Sequence, residues 1–177
     1  MLGVAVLAGL LAVPVACSSG PVRRPDGGEG LLAVGASAPD FAAVTASGEP
    51  IRLSSLRGHP VVAYFYPKDG TPGCTKEACA FRNAWKRYEA AHVGVIGISS
   101  DSDARHRKFM KEHELPFPLA ADENNAIARS YGVKTLLGMD ARVTFLIDKE
   151  GKVAKVWQDV DPGVHATEVV AAAETLP

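Results

Sequence analysis

Two cysteines in the stretch YFYPKDGTPGCTKEACAFR (residues 64–82) are the side chains of this sequence best suited to chemistry. Cys74 and Cys79 are five positions apart, which differs from the Cys-x-x-Cys spacing of many redox pairs. A cysteine thiolate can act as a nucleophile, a redox centre or a metal ligand. The question raised by this spacing is whether the two thiols act together.

The residues just before Cys74 have the pattern of a helix start. Thr71 suits the N-cap, Pro72 suits N1, and Cys74 then falls at N3. The free N–H groups and the helix dipole favour negative charge at that end, so this position favours the thiolate form of Cys74. We therefore expect Cys74 to be the nucleophile, with the Thr71 hydroxyl near its sulfur.

Helix geometry separates the two thiols. At about 100° per residue, Cys79 falls about 140° from Cys74, on the polar face. Cys74 heads an apolar stripe that continues with Ala78, Phe81, Trp85 and Tyr88. A five-residue offset places the Cα atoms roughly 8.6 Å apart, whereas a disulfide needs at most about 6.8 Å. The pair can close only if the first turns unwind, which predicts a conditional disulfide.

The order of strand-like and helix-like segments predicts one α/β domain. Apolar runs at 61–66, 93–99, 143–147 and 152–158 predict strands, and the last two flank the turn residues 148–151 as a hairpin. Helices are expected at 74–92, 102–114, 123–131 and 162–176. This order predicts a thioredoxin-like fold, a central mixed β-sheet flanked by helices, over residues 36–177.

The N-terminal residues have a different composition. Residues 2–16 are uncharged and apolar, and as a helix they would span roughly 22 Å of a bilayer core of about 30 Å. This length favours a secretory signal peptide over a stable membrane span. The segment ending at Cys17 resembles the lipobox of bacterial lipoproteins, which implies an exported protein whose only membrane contact is a lipid on Cys17. An uncleaved signal anchor is the alternative, and residues 18–35 are expected to form a flexible linker.

Charge and composition exclude some partners and sites. The chain has 19 basic and 20 acidic side chains and 7% aromatic residues, so we expect no nucleic-acid partner. The five histidines do not converge by spacing, so we expect most to be exposed and none to bind a metal. Glu77 lies in the first helical turn and is interpreted as favourable to the helix dipole.

The residues around Cys74 also resemble a known family. Residues 67–74 (PKDGTPGC) fit the Pro-x-x-x-Thr-x-x-Cys motif of peroxiredoxins, and the longer string YFYPKDGTPGCTKEACAFR is similar to the peroxiredoxin Q subfamily, the bacterioferritin comigratory proteins. The segments GASAPDF (35–41), LSSLRG (53–58) and RVTFLIDKEGKV (142–153) extend the resemblance from Gly35 to the C-terminus.

The resemblance implies a thiol peroxidase that reduces hydrogen peroxide and organic hydroperoxides without a cofactor. Cys74 would be the peroxidatic cysteine, and Cys79 would resolve its sulfenic acid as an intramolecular disulfide. Thr71 would orient the peroxide, Pro67 would shield the site from water, and Arg142 would be the active-site arginine. A thioredoxin-like dithiol would reduce the disulfide, and the subfamily implies a monomer.

Two alternatives use the same fold. A membrane-tethered thiol–disulfide oxidoreductase of thioredoxin type would suit the N-terminal residues, but it expects Cys-x-x-Cys. A copper-binding protein of the Sco type would use soft cysteine ligands, but it has a Cys-x-x-x-Cys spacing that brings both thiols to one helix face.

Overall fold

A seven-stranded mixed sheet forms the centre of the protein. The structure is a computed structural model that describes residues 20–158 and 160–177. The strands are β1 (Ala42–Val44), β2 (Pro50–Arg52), β3 (Val61–Phe65), β4 (Gly94–Ser99), β5 (Leu119–Ala121), β8 (Val143–Ile147) and β9 (Val153–Trp157). Their spatial order is β2-β1-β5-β4-β3-β8-β9. Strands β3, β4 and β5 run parallel, and the other neighbours pair antiparallel. The predicted hairpin across residues 148–151 is confirmed as β8–β9.

Five helices cover the two faces of the sheet. They are α1 (Pro72–Asn83), α2 (Trp85–Ala90), α3 (Asp103–Glu112), α4 (Ala126–Tyr131) and α5 (His165–Ala173), with a 3-10 turn at Leu53–Leu56. Because side chains alternate along a strand, all five residues of β3 are buried, but on opposite faces. Val62 and Tyr64 pack in the core with α1, α3 and α5, and Phe65 packs in the core with α4. No helix in the described ranges is long and apolar enough to cross a membrane.

The helix predicted over residues 74–92 is interrupted in the structure. It divides at Ala84, where φ is −85° and ψ is 0°. The N–H of Arg87 donates to the Ala84 carbonyl at 2.9 Å, a tighter i to i+3 bond. The apolar stripe continues through both helices, since Phe81 and Tyr88 are buried and Trp85 is partly buried. The periodicity therefore predicted the buried face correctly and missed the break.

Several short strands were not predicted. β1 and β2 have three residues each, and a separate hairpin is formed by β6 (Thr135–Leu136) and β7 (Met139–Asp140). Two or three residues are too few to show a strand period in a sequence. This β6–β7 hairpin lies immediately before β8, and Arg142 is in the short connection between β7 and β8.

Residues 20–35, here called the N-terminal strap, pack against the domain, which differs from the flexible linker predicted for residues 18–35. Leu32 is buried, and its N–H donates to the carbonyl of Tyr131 at 2.9 Å. The Arg24 guanidinium donates to the Gly30 carbonyl at 2.8 Å. Gly132 has a φ of +70°, and a Cβ there would lie 1.8 Å from the Gly30 oxygen. The Gly and Pro content predicted a linker, but a single buried leucine and paired backbone groups fix the strap. The predicted signal peptide, including Cys17, lies outside the described residues.

Candidate active site

Cys74 lies at the N-terminus of α1, as the sequence predicts. Thr71 is the N-cap residue, with φ −77° and ψ 147°, and Pro72 follows at the first helical position. The Thr75 N–H donates to the Thr71 carbonyl at 2.9 Å and so makes the first helical hydrogen bond. Cys74 is 2% exposed and belongs to the core cluster with Tyr64 and Phe81. Its thiol is therefore shielded from bulk water at the positive end of a helix.

The Thr71 hydroxyl has its hydrogen-bond partner on the loop before α1. It donates to the carbonyl of Lys68 at 3.1 Å and makes no side-chain cap hydrogen bond to the helix. Pro67 is half-buried and directly follows Tyr66, at the end of the buried run that contains β3. Both residues lie on the loop between β3 and α1, on the approach to Cys74.

Arg142 is brought to Cys74 from the far end of the chain. It lies immediately before β8, and its Nη2 is 3.3 Å from the Cys74 sulfur. The side chain is 19% exposed. Burial alone would lower the pKa of Arg142, but the negative groups Glu77 and Cys74 outweigh it and raise that pKa. Arg142 therefore stays cationic and places a donor and a positive charge against the sulfur.

Glu77 completes this arrangement; the sequence interpretation placed it in the first helical turn but did not predict its ion pair with Arg142. Its carboxylate is fully buried and forms an ion pair with Arg142 through one oxygen, while Oε1 has no hydrogen-bond partner. Burial raises the pKa of Glu77 to about 7, and the Arg142 charge opposes that rise. A signal was available, because Glu77 is three residues after Cys74 and falls on the apolar stripe. A carboxylate on a buried face needs a charged partner.

A buried hydrogen-bond network holds the loop before α1. The Asp69 carboxylate accepts from the Tyr66 hydroxyl at 2.7 Å and lies 2.8 Å from Nδ1 of His106. The backbone N–H of Asp69 donates to the Asp101 carboxylate at 2.6 Å, and Gly70 then turns the chain with φ +75°. The expectation that most histidines are exposed is wrong for His106, which is fully buried on α3.

His165 is a second buried histidine, at the start of α5. Its Nε2 lies 2.8 Å from the hydroxyl of Thr144, on the strand that follows Arg142. Burial, together with a smaller effect of the positive charge of Arg142, lowers the pKa of His165 to about 4. The imidazole is therefore neutral near pH 7 and packs edge-on against Trp157 at 5.7 Å. The expectation of exposure is wrong here too.

Asp140 is a buried acid two residues before Arg142. Both carboxyl oxygens lack a hydrogen-bond partner. Burial raises the pKa of Asp140 to about 8, with a smaller contribution from the negative charge of Asp122. Asp122 itself accepts from the N–H groups of Ile127 and Ala128 in α4. Asp140 thus favours its neutral form around neutral pH.

Cys79 lies one and a half turns after Cys74, in the same unbroken helix. It is half-buried, and both cysteines are free thiols. The structure therefore has the geometry of a reduced protein, with Cys74 isolated beside Arg142 and Cys79 closer to solvent.

Comparisons with known proteins show the family of this chain. Residues 34–156 match the family model of the AhpC/TSA family. The chain is 45% identical over 147 residues to the putative peroxiredoxin bcp of Coxiella burnetii, covering 78% of this chain and 97% of that protein. It is 40% identical to peroxiredoxin Bcp of Bacillus subtilis, covering 78% and 93%. The chain belongs to the AhpC/TSA family and is a peroxiredoxin.

Solved structures confirm the predicted fold for this peroxiredoxin. The crystal structure of peroxidoxin BcpB from Mycobacterium tuberculosis superposes with a TM-score of 0.74 at 35% identity, covering 81% of this chain and 97% of that one. The Xanthomonas campestris bacterioferritin comigratory protein gives a TM-score of 0.69 at 33% identity, covering 76% and 90%. The thioredoxin-like fold and the resemblance to peroxiredoxin Q are thereby confirmed, and the thioredoxin-type and Sco-type alternatives are set aside.

Proposed function

We propose that this peroxiredoxin reduces hydrogen peroxide and organic hydroperoxides through Cys74. The observation that carries the proposal is the 3.3 Å contact between Arg142 Nη2 and the Cys74 sulfur at the start of α1. A helix N-terminus and a guanidinium both stabilise a thiolate. The Xanthomonas campestris relative is described for its alkyl peroxide reduction activity, which supports the organic substrates.

The first step is a nucleophilic displacement at a peroxide oxygen. The Cys74 thiolate attacks one oxygen of ROOH, the O–O bond breaks, and the sulfur becomes a sulfenic acid. The departing RO⁻ takes up a proton and leaves as an alcohol, or as water when R is hydrogen. Negative charge moves from sulfur toward the leaving oxygen, so Arg142 and the helix N–H groups stabilise the transition state more than the ground state.

The loop residues have supporting roles in this proposal. The Thr71 hydroxyl donates to the Lys68 carbonyl and keeps its lone pairs available to accept from the O–H of the peroxide. Pro67 has no N–H and shields the thiolate side of the site from water. Glu77 holds the Arg142 guanidinium in place through their ion pair.

The second step forms a disulfide. The Cys79 thiol displaces the hydroxyl of the Cys74 sulfenic acid as water, which requires the first turns of α1 to unwind. A thioredoxin-like dithiol then reduces the Cys74–Cys79 disulfide by two thiol–disulfide exchanges and becomes oxidised itself. The partial exposure of Cys79 supports its access to such a reductant.

Stopped-flow oxidation of the purified protein by hydrogen peroxide tests both steps. Cys74→Ser should abolish the reaction, and Cys79→Ser should still form a sulfenic acid but turn over poorly with thioredoxin. A Cys74→Ser variant with an unchanged peroxidase rate would contradict the mechanism.

The cellular setting is part of the proposal. The protein is exported and works as a monomer, and its only covalent link to the membrane is a lipid on Cys17. The apolar run of residues 2–16 and the following cysteine support this placement. Mass spectrometry of the mature N-terminus tests it, because lipidation predicts that Cys17 is the first residue and carries acyl groups.

A further inference from the structure

The β6–β7 hairpin has the two most exposed large apolar side chains among the described residues, Leu137 and Leu136, and a third exposed apolar side chain, Met139. Leu137 is 90% exposed, Leu136 is 76% exposed, and Met139 is 38% exposed. Leu137 also adopts a left-handed backbone conformation, with φ 52°. An exposed leucine at a strained turn contributes little to folding, and a cluster of such side chains marks a surface that contacts another phase or molecule.

The N-terminal strap brings the start of the described chain to this hairpin. Pro21 and Val22 line the same cleft as Lys134 and Ala141. The Ala141 N–H donates to the Lys134 carbonyl at 2.8 Å and so closes the base of the hairpin. Residues 18–20 alone separate Pro21 from Cys17, the proposed site of the lipid. Four extended steps of the chain span at most about 14 Å, so a lipid on Cys17 would be attached within that reach of Pro21.

We propose that the β6–β7 hairpin inserts its tip into the surface of a lipid bilayer, and that hydroperoxides of membrane lipids are a substrate class of this enzyme. The proposal rests on the proposed lipid anchor at Cys17. Leu136 and Leu137 would lie at the level of the acyl chains, and the exposed Lys134 would face anionic headgroups.

The cleft beside the hairpin extends from Lys134, at the base of the hairpin, to Arg142. It has a volume of about 1020 Å³, and its apolar lining comes from both the strap and the sheet side: Pro21, Val22, Leu31, Val143 and Val160. Arg142 also lines it, with Nη2 3.3 Å from the Cys74 sulfur. A bent, oxidised acyl chain can occupy such a cleft with its hydroperoxide toward Arg142, and the displacement then proceeds as described above, with the lipid acyl chain as R.

Fluorescence quenching tests the contact without any need for catalysis. We would reconstitute the full chain with Leu137→Trp in vesicles of phosphatidylethanolamine and phosphatidylglycerol with brominated acyl chains. The matched control is Lys108→Trp, because Lys108 is exposed on α3, on the opposite face of the sheet from α4. The emission of the tryptophan at position 137 should shift to the blue and be quenched by the brominated lipid, above the background of Trp85 and Trp157. Equal quenching by aqueous iodide at both positions would overturn the proposal.

Turnover with dithiothreitol tests the substrate class. The Leu136→Ser/Leu137→Asn double variant should reduce phosphatidylcholine hydroperoxide in vesicles at least about tenfold more slowly, since each buried leucine contributes about one tenfold step or more to partitioning. Its rate with hydrogen peroxide in solution should equal that of the unsubstituted protein. Val164→Ser, which removes an exposed apolar side chain at the start of α5, should leave both rates unchanged.

Other occupants of the hairpin give different results. An equal loss with both substrates, or cross-linking of position 137 to a second copy, would overturn the membrane contact in favour of a protein partner. Failure of the unsubstituted chain to reduce either peroxide would contradict the proposed function, whereas the quenching of Leu137→Trp would still decide the membrane contact.

Discussion

The guanidinium of Arg142 lies between two buried groups, with Nη2 3.3 Å from the Cys74 sulfur and Nη1 paired with Glu77. The arginine precedes β8, whereas both of its partners lie on the first turns of α1. One side chain therefore stabilises the thiolate and neutralises a buried carboxylate at the same time.

Two substitutions of Arg142 should distinguish the effect of its positive charge on the reaction rate from the effect of its planar guanidinium shape. Arg142→Met removes both, and we expect the rate of Cys74 oxidation by hydrogen peroxide to fall by at least about 100-fold. Arg142→Lys keeps the charge but cannot contact sulfur and carboxylate together as a planar fork does, so it should recover only part of that rate. Single-turnover stopped-flow measures both. The Glu77→Gln/Arg142→Met double variant controls for the unpaired buried carboxylate, and an unchanged rate in both variants would contradict the role of Arg142.

Glu77 should act as a positioning residue for Arg142. Its pKa of about 7 predicts an inflection near that pH in the oxidation rate, with the rate rising as the carboxylate ionises and holds Arg142 more firmly. Glu77→Gln should remove this inflection while keeping a hydrogen bond to Arg142, and Glu77→Ala should lower the rate at every pH. The pH profiles of the three proteins provide the measurement. An inflection that persists in Glu77→Gln would show that another group causes it.

His165 should make the fold sensitive to acid. Its pKa falls from 6.5 in the unfolded chain to about 4 in the fold, so the folded state binds fewer protons. The free energy of unfolding should therefore fall as the pH decreases from 6.5 toward 4, by at most about 3 kcal/mol from this group. His165→Gln can keep the contact with Thr144 and does not titrate, so its urea unfolding should lack this part of the acid dependence. If the free energies of unfolding of the two proteins changed with pH in parallel, the prediction would be contradicted.

Asp140 should have the opposite effect at alkaline pH. Its folded pKa of about 8 lies above the ordinary value of 3.8, so the free energy of unfolding is highest below 3.8 and falls as the pH rises toward 8. Asp140→Asn removes the ionisation and should be more stable than the unsubstituted protein above that pH, by at least about 1 kcal/mol. Urea unfolding at acid and alkaline pH measures the difference. A difference in the free energy of unfolding between the two proteins that is the same at acid and alkaline pH would contradict this account.

Gly132 should be needed for the N-terminal strap. An alanine Cβ there would meet the Gly30 oxygen at 1.8 Å, so Gly132→Ala must displace the strap. We expect a loss of about 1–3 kcal/mol in the free energy of unfolding and faster tryptic cleavage after Arg23. Gly138→Ala is the matched control, because Gly138 also has a positive φ but nothing lies within 4 Å of its added Cβ. Equal cleavage rates in both variants would show that the close approach does not hold the strap.

The sequence predicted the elements that depend on neighbouring residues: the start of α1 and the long buried strands. The helix start at Thr71–Pro72 depends on residues next to one another, and the long apolar runs showed β3, β4 and β8 because their burial is continuous. The role of Arg142 came from resemblance, since nothing local distinguishes it from a surface arginine. Its distance to Cys74 depends on strand pairing between β3 and β8, which a sequence pattern does not give.

The missed residues owe their burial to distant partners. Glu77 is paired with a residue 65 positions away, and His165 on α5 contacts Thr144 on β8, 21 positions earlier. His106 was within reach of sequence reasoning, because Phe109 and Met110 lie three and four residues later on the same face of α3. The many charged neighbours on that helix concealed the buried face.

The interruption at Ala84 limits how far a disturbance of α1 can travel. Beyond it, α2 is fastened independently, since the Tyr88 hydroxyl donates to the carbonyl of Ala166 at 2.6 Å in α5. If Cys79 reaches Cys74 by unwinding of α1, the interruption at Ala84 confines the unfolding. The twelve residues of α1 can then unfold while α2, α5 and the sheet stay folded. The oxidised and reduced enzymes would then differ in one helix, and hydrogen exchange should find the difference confined to it.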